Sequence, residues 1–435
     1  MSDIGVRLTE WQAATPETIP ALAGLRLQET AAVRAAVQRL NSSKVLSISE
    51  LRTGLEIRTS SYVGSLTLGD LSLRIEPKLE ARSFAVLIGY AIGLPHLDLL
   101  PEHTARLTAP AFQDLLVVRL ADEASRLLAR GTYRHYKRRT APLGSPRGRL
   151  LFGEMLRQAE PTAAELPCEY YERDQDVLPN RVLLAGLRLA AALAIDTSVR
   201  QKAMRPLMSL ADTVRAVPLN ATTFRDLERS KSRLLSAYEP AFRVIRLLMA
   251  GQGISTDDSG DSLSLPGFLF NMNLLFQQAL GRFFRESLED AVVLEQYSVA
   301  DLFAYQPQFN PRRKRAPIPK PDYVFRRRGE IAAIADAKYR DLWEHDLGRD
   351  MLYQLSIYAL SQPECRTAAI LYPAADLTAR EARIQIKDPM SGSSRGEVHL
   401  RPVNVSYLAE LVRLRTTTAV RRDCERYARS LAFGA

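Results

Sequence analysis

The period of apolar positions changes several times along the chain, and those changes divide it. Ile4 to Trp11 alternates as a first strand would, and Pro20 to Leu40 carries apolar residues at helical spacing. From Val45 to Pro77 the period returns to two. It predicts strands at Leu55–Thr59, Tyr62–Leu68 and Leu71–Ile75, with Gly69 and Asp70 in a tight turn and Pro77 ending the last strand. Helical periods dominate from Ser83 to Ala250, most clearly over Ala111–Leu128, Leu183–Ile195 and Phe242–Met249. Gly251 to Ser264 is small, polar and aperiodic, as a linker is. Beyond it the pattern predicts a helix over Met272–Leu288, a strand over Val292–Val299, a hairpin of Tyr323–Phe325 and Ile331–Ala335 about Arg328-Gly329, a helix over Asp350–Leu360 and a strand over Thr367–Tyr372. A second hairpin, Arg383–Ile386 with Val398–Val405 across Ser391–Gly396, and a terminal helix over Tyr407–Leu431 complete it. The prediction is an α+β chain: a β-rich module over 1–80, a helical, partner-binding middle region over 81–250, a linker over 251–264 and a mixed domain over 265–435.

Composition narrows the class. At 435 residues, 46% hydrophobic and 25% charged, the chain has the make-up of a soluble globular protein large enough for two or three cores. Its net charge of +10 favours polyanionic partners through counterion release. Cys168, Cys365 and Cys424 form no C-x-x-C spacing, so neither a disulfide framework nor a zinc ribbon is encoded, and His96, His103, His135, His345 and His399 are scattered, so a histidine-rich metal site is not expected. Met1 to Trp11 lacks the charge and apolar pattern of an export signal, and Phe84–Leu94 and Val182–Ile195 suit core helices better than membrane spans. A cytoplasmic protein without membrane association is expected.

The richest chemistry lies in the first hairpin. Asp322 opens one strand and Asp336-Ala337-Lys338 closes the other, so antiparallel pairing brings the two aspartates together and alternation puts Lys338 on the Asp336 face. Two carboxylates and an ammonium suit Mg²⁺-assisted phosphodiester hydrolysis, with Mn²⁺ able to substitute: the carboxylates are hard ligands for the ion, and lysine orients water or offsets charge on phosphorus. The arrangement resembles the PD-(D/E)xK nuclease motif, as P-D at Pro321-Asp322 and D-A-K at Asp336–Lys338. Gln354 and Tyr358, four apart on one helix face, resemble the Q-x-x-x-Y accessory of one nuclease subgroup, whose glutamine lies near the metal and whose tyrosine lies near DNA. Arg312, Arg313, Lys314 and Arg315 precede Asp322, and Arg326, Arg327 and Arg328 follow it, which predicts basic flanks for a nucleic-acid channel. His345, soon after the lysine strand, is either close to DNA or an ordinary loop residue.

Two other charged segments stand apart. Arg134, Lys137, Arg138, Arg139, Arg147 and Arg149, interleaved with Tyr133 and Tyr136, read either as a grip on phosphates or an acidic partner, or as a solvated loop. Glu169, Glu172, Asp174 and Asp176 make a second metal site conceivable, but Asp176 to Asn180 reads as the start of a helix and the structural reading is preferred.

Taken in order, these landmarks resemble the McrC family, the nuclease subunit of McrBC-type modification-dependent (type IV) restriction systems. The matching pieces are I-E-P-K-L at Ile75, G-T-Y-x-x-Y at Gly131, R-G-R-L at Arg147, a loose Y-x-x-D-x-x-x-x-N from Tyr171 to Asn180, N-M-N-L-L-F at Asn271, K-P-D, D-A-K-Y and Y-Q-L-S-I-Y. The resemblance implies a restriction-endonuclease-like C-terminal domain that cuts double-stranded DNA, catalytic positions at Asp322, Asp336 and Lys338, and an N-terminal region that engages a hexameric AAA+ GTPase translocase. It also implies dependence on modified cytosine, read by another subunit. Relatives often carry glutamate after the L-F of the first nuclease helix, where this chain has Gln277. A non-catalytic adaptor that binds DNA or regulates the GTPase, and a repair nuclease, are the competing expectations. The chain contains no G-x-x-x-x-G-K-[ST] phosphate loop of its own.

Overall fold

The computed structural model describes all residues except 1–3, 28–29, 80, 92–108, 156–164, 230–232, 252–266, 300–301, 363–365, 375, 377, 416 and 435. His96, His103 and Cys365 lie outside the described residues, as does the expected linker from 252 onward. The chain forms two compact units, one of 1–111 with 265–435 and one of 112–264. The N-terminal β module and the C-terminal domain therefore share a unit, where the linear pattern, with boundaries at 80 and 265, sets them apart. The reason lies in one strand. Gly267–Asn271 pairs antiparallel with Tyr62–Leu68 and completes a sheet in which Leu71–Glu76 comes next and Ile4–Thr9 runs parallel at the far edge. Gly64 makes the close pairing feasible: its φ is +141°, and a Cβ there would lie 1.9 Å from the Phe268 carbonyl oxygen.

The same unit holds a small sheet of Ala13–Ala14, Gly54–Thr59 and Leu46–Leu51, which shares an apolar core with the first through Leu8, Leu46, Ile57, Leu73 and Ile75. The helix expected over Pro20–Leu40 is two pieces. A 3-10 turn at Pro20–Leu22 ends at extended Ala23, and the helix proper runs Ala31–Ser42, capped by the Thr30 side chain on the Val33 amide.

The site-bearing sheet has six strands among the described residues, in the order Val292–Glu295, Tyr323–Arg327, Glu330–Ala337, Thr367–Ala374, Ser394–Asn404 and Ala382–Lys387. Glu330–Ala337 and Thr367–Ala374 pair in parallel, and the helix Arg349–Leu360 makes the crossover that such a pair needs. The helix Met272–Ser287 buries Phe283 and Phe284, and Phe284 meets Tyr323 and Phe325 edge-on at 5.3 and 5.0 Å. The expected hairpin over 391–396 is present, with Ala382–Lys387 antiparallel to Ser394–Asn404. Two expected elements are interrupted within their patterns. The strand from Val292 stops at Glu295 because Gln296 takes a positive φ of 49°, and the terminal helix is split into Val405–Arg413 and Thr418–Phe433 by a break that Thr417 caps anew.

In the second unit the helix Leu178–Leu193 is buried along most of its length, and Gly186 lets Ile245 of the helix Glu239–Gly251 approach where a Cβ would clash at 2.3 Å. The basic segment after Arg130 is a strand, His135–Leu143, paired with Leu166–Asp174. Opposite charges pair diagonally across that ladder, Arg139 with Glu172 at 3.0 Å and Arg138 with Glu169. Asp176 accepts from two guanidinium nitrogens of Arg181, each at 2.8 Å, which holds its carboxyl down to about 2. These carboxylates serve the fold, as the structural reading expects.

Candidate active site

The hairpin turn falls at Arg328-Gly329, both with positive φ, and register places Tyr323 opposite Ala335. Asp322 and Asp336 thus meet at the open end. Each backbone holds the other residue's carboxylate: the Asp322 amide donates to Asp336 Oδ1 at 2.9 Å, and the Ala337 amide donates to Asp322 Oδ2 at 2.9 Å. Three glutamine amides complete the cradle. Gln277 and Gln296 donate to Asp322 Oδ1 at 2.8 and 2.7 Å, and Gln354 donates to Asp336 Oδ2 at 3.1 Å. Gln277 does bring the first helix to the site. Gln296 carries no signal in the sequence, because nothing local marks a residue that reaches Asp322 across the sheet edge.

Electrostatics sharpen the picture. Burial first, and the Asp322 charge second, push the Asp336 carboxyl up to about 6, while burial raises Asp322 as well. Lys338, half-buried, opposes both shifts through its charge, and its backbone amide is fixed on the Leu371 carbonyl at 2.9 Å. Two desolvated carboxylates a few ångströms apart resist joint ionisation unless a cation joins them. Among the described residues no three His, Cys, Asp or Glu side chains gather into a metal cage. Mg²⁺ needs no such cage, since it is held by one or two carboxylates and keeps several waters. The residues present fit that ion.

The remaining predicted positions divide. Tyr358 is buried at 1% exposure, and its hydroxyl accepts from Gln354 at 2.9 Å, so it steadies the glutamine from below and offers no surface to DNA. Arg312, Arg313, Lys314 and Arg315 are exposed on a loop whose two stems are tied beside the site, by the Gln296 amide on the Asp322 carbonyl and the Val299 amide on the Pro319 carbonyl. Arg326, Arg327 and Arg328 do not flank the site. With the carboxylates at the open end of the hairpin, its turn lies at the other end, roughly 20 Å away along the strand. Arg326 bonds the Gly329 carbonyl, and Arg327 is committed to Asp290 at 3.1 Å and to the Phe433 ring at 3.7 Å. His345 bonds the Asp341 carbonyl at 3.0 Å.

Among the described residues no helix is long and apolar enough to cross a membrane. A structure of a half-complex from a tetradecameric assembly of Thermococcus gammatolerans McrB AAA+ hexamers with bound McrC contains a chain similar to this one, at 18% identity and a TM-score of 0.62, covering 97% of this chain and 99% of that one. The cryo-EM structure of the Thermococcus gammatolerans McrBC complex matches at 21% identity and a TM-score of 0.46, over 65% of this chain and 88% of that one. No curated protein matches the sequence. The family model described as McrBC 5-methylcytosine restriction system component matches residues 57–373, most of the length and a span that includes Asp322, Asp336, Lys338 and Gln354, so this chain belongs to that family.

Proposed function

We propose that the chain is the Mg²⁺-dependent DNA endonuclease subunit of a modified-cytosine-dependent restriction complex, with a PD-(D/E)xK-type site, activated by and stimulating a hexameric AAA+ GTPase. The observation that carries the reading is the mutual grip of buried Asp336 and half-buried Asp322, two carboxylates with raised affinity for protons, beside the Lys338 ammonium. Carboxylates whose ionised forms are destabilised together are suited to a divalent cation. Asp322 and Asp336 would hold it. When bound, the ion lowers the pKa of its water and draws charge from phosphoryl oxygens. Lys338 orients the attacking water or offsets charge developing on phosphorus, and Gln354, steadied by Tyr358, fixes the Asp336 carboxylate. The exposed Arg312–Arg315 run supplies phosphate contacts on the same side of the hairpin as the carboxylates.

Kinship with an McrC-containing assembly of McrB AAA+ hexamers supports the GTPase partner, and this chain carries no phosphate-loop motif with which to bind nucleotide in that way itself. The test is Asp336→Ala in the reconstituted complex with Mg²⁺. Cleavage should vanish while assembly and GTP hydrolysis persist. Cleavage at the wild-type rate would refute the assignment, and efficient cutting by the chain alone without GTP would refute the partner requirement.

A further inference from the structure

The I-E-P-K-L segment of the N-terminal sheet has no part in the chemistry above, yet it leads to the hairpin. At the end of the strand Ile4–Thr9 sits Glu10, 1% exposed. Its Oε1 accepts from the Lys78 amide at 2.7 Å and from the Tyr339 hydroxyl at 2.9 Å, while Oε2 is buried without a hydrogen-bond partner. Tyr339 is the residue after Lys338. Its ring, 3% exposed, packs edge-on to Phe276 at 5.9 Å, and its amide donates to Asn273 Oδ1 at 3.1 Å. Asn273 in turn bonds the Ser61 hydroxyl, and Arg340 lies 5.8 Å from the centre of the Trp11 ring. Beside Glu10 opens a cleft of about 300 Å³ lined by Lys78, Tyr339, Arg340, Asp341, Glu344 and His345.

A buried carboxylate with one oxygen unmatched is costly, and burial pushes this one up to about 7. An apolar pair would join the two segments at lower cost. What the carboxylate adds is direction, because an acceptor fixed by the Lys78 amide leaves the Tyr339 hydroxyl one place to go.

We propose that Glu10 is a positioning residue for Lys338, acting through Tyr339, so that the N-terminal sheet sets where the lysine of the hairpin stands. The inference rests on the nuclease reading only for its kinetic consequence. The geometric consequence stands alone. Tyr339→Phe removes one hydroxyl and no packing, and Glu10→Gln keeps an acceptor for both donors, whereas Glu10→Ala removes it. In the reconstituted complex, Tyr339→Phe and Glu10→Ala should lower kcat for cleavage roughly tenfold or more with KM for DNA unchanged, as small displacements of a catalytic group do, and Glu10→Gln should restore most of it.

Trace acetylation of the full chain with acetic anhydride, read by peptide mass spectrometry against exposed Lys320, supplies a readout independent of activity. Lys338 should change its rate by roughly twofold or more in Tyr339→Phe and Glu10→Ala and return toward wild type in Glu10→Gln. A Lys338 rate unmoved in Tyr339→Phe overturns the proposal whatever the cleavage assay gives. A moved rate with wild-type chain that never cuts DNA would leave the positioning intact and refute the nuclease reading instead. Tyr339→Phe carries the test if Glu10→Ala fails to fold.

Discussion

Asp336→Asn should make the metal-free protein more stable at neutral and alkaline pH, although it removes the proposed ligand. The Asp336 carboxyl is raised from 3.8 to about 6, by burial first and by Asp322 second. A raised acid pKa means that the unfolded chain ionises first. Folding stability therefore falls as pH climbs from the unfolded to the folded value, and the loss is complete above the folded one. Converted, the gap gives a penalty of about 2 to 3 kcal/mol at about pH 8, shrinking to about 1 kcal/mol at about pH 4.5. Asparagine ionises at neither pH and so escapes it. Its carbonyl keeps the acceptor for the Asp322 amide, and Gln354 must turn its own amide over to meet the new NH₂. Urea denaturation of the metal-free wild type and variant at both pH values measures the difference. A variant less stable than wild type at the higher pH, or a gain that does not shrink at the lower one, refutes the electrostatic account.

The same logic makes Mg²⁺ stabilisation of the wild type larger at about pH 8 than at about pH 5, and Asp322→Asn should abolish it; a thermal-shift titration against Mg²⁺-free controls checks both. Neutralising Arg312–Arg315 should flatten the slope of log DNA affinity on log salt by about 0.9 for each phosphate no longer neutralised, in a salt titration by fluorescence anisotropy. Arg327→Ala should leave that slope alone and cost about 1 kcal/mol of stability in urea, through the Asp290 pair and the Phe433 ring. Gly64→Ala should destabilise by more than about 4 kcal/mol, because neither φ nor the Phe268 carbonyl can admit a Cβ; soluble expression with a wild-type urea midpoint would contradict it.

The parts of the site that can be read along the chain are those set by local geometry. Arg328-Gly329 fixes a hairpin, alternation carries Asp322 to Asp336, and four-residue spacing puts Gln354 and Tyr358 on one helix face. What escapes depends on which strands become neighbours. Gln277 and Gln296 reach Asp322 only once a helix and an edge strand have docked, and Glu10 reaches Tyr339 only because the two sheets belong to one unit. Arg326–Arg328 show the opposite error. They are close to Asp322 in sequence, yet a strand carries charge away from its own start at a fixed rise per residue. Arg138 and Arg139 show a third limit, since charged side chains that pair across a ladder look the same in sequence as charges in solvent.

The residues that escape bear on why the unit is built as it is. The backbone groups that hold Asp322 and Asp336 belong to the hairpin itself, so the hairpin alone could bring the carboxylates together. It could not keep them desolvated, and desolvation is the largest cause of their raised pKa values. That burial comes from the helix Met272–Ser287, whose Gln277 lies on Asp322, and from the crossover helix with Gln354. The first of these helices starts directly from the strand Gly267–Asn271, which is itself a strand of the N-terminal sheet, and the Met272 amide bonds the Ser61 carbonyl at 2.9 Å. The far end of the same sheet grips Tyr339. The helix that brings Gln277 to Asp322 and the residue that steadies the lysine are thus anchored on a module roughly two hundred or more positions earlier in the chain, so the site depends on long-range pairing that no single motif records.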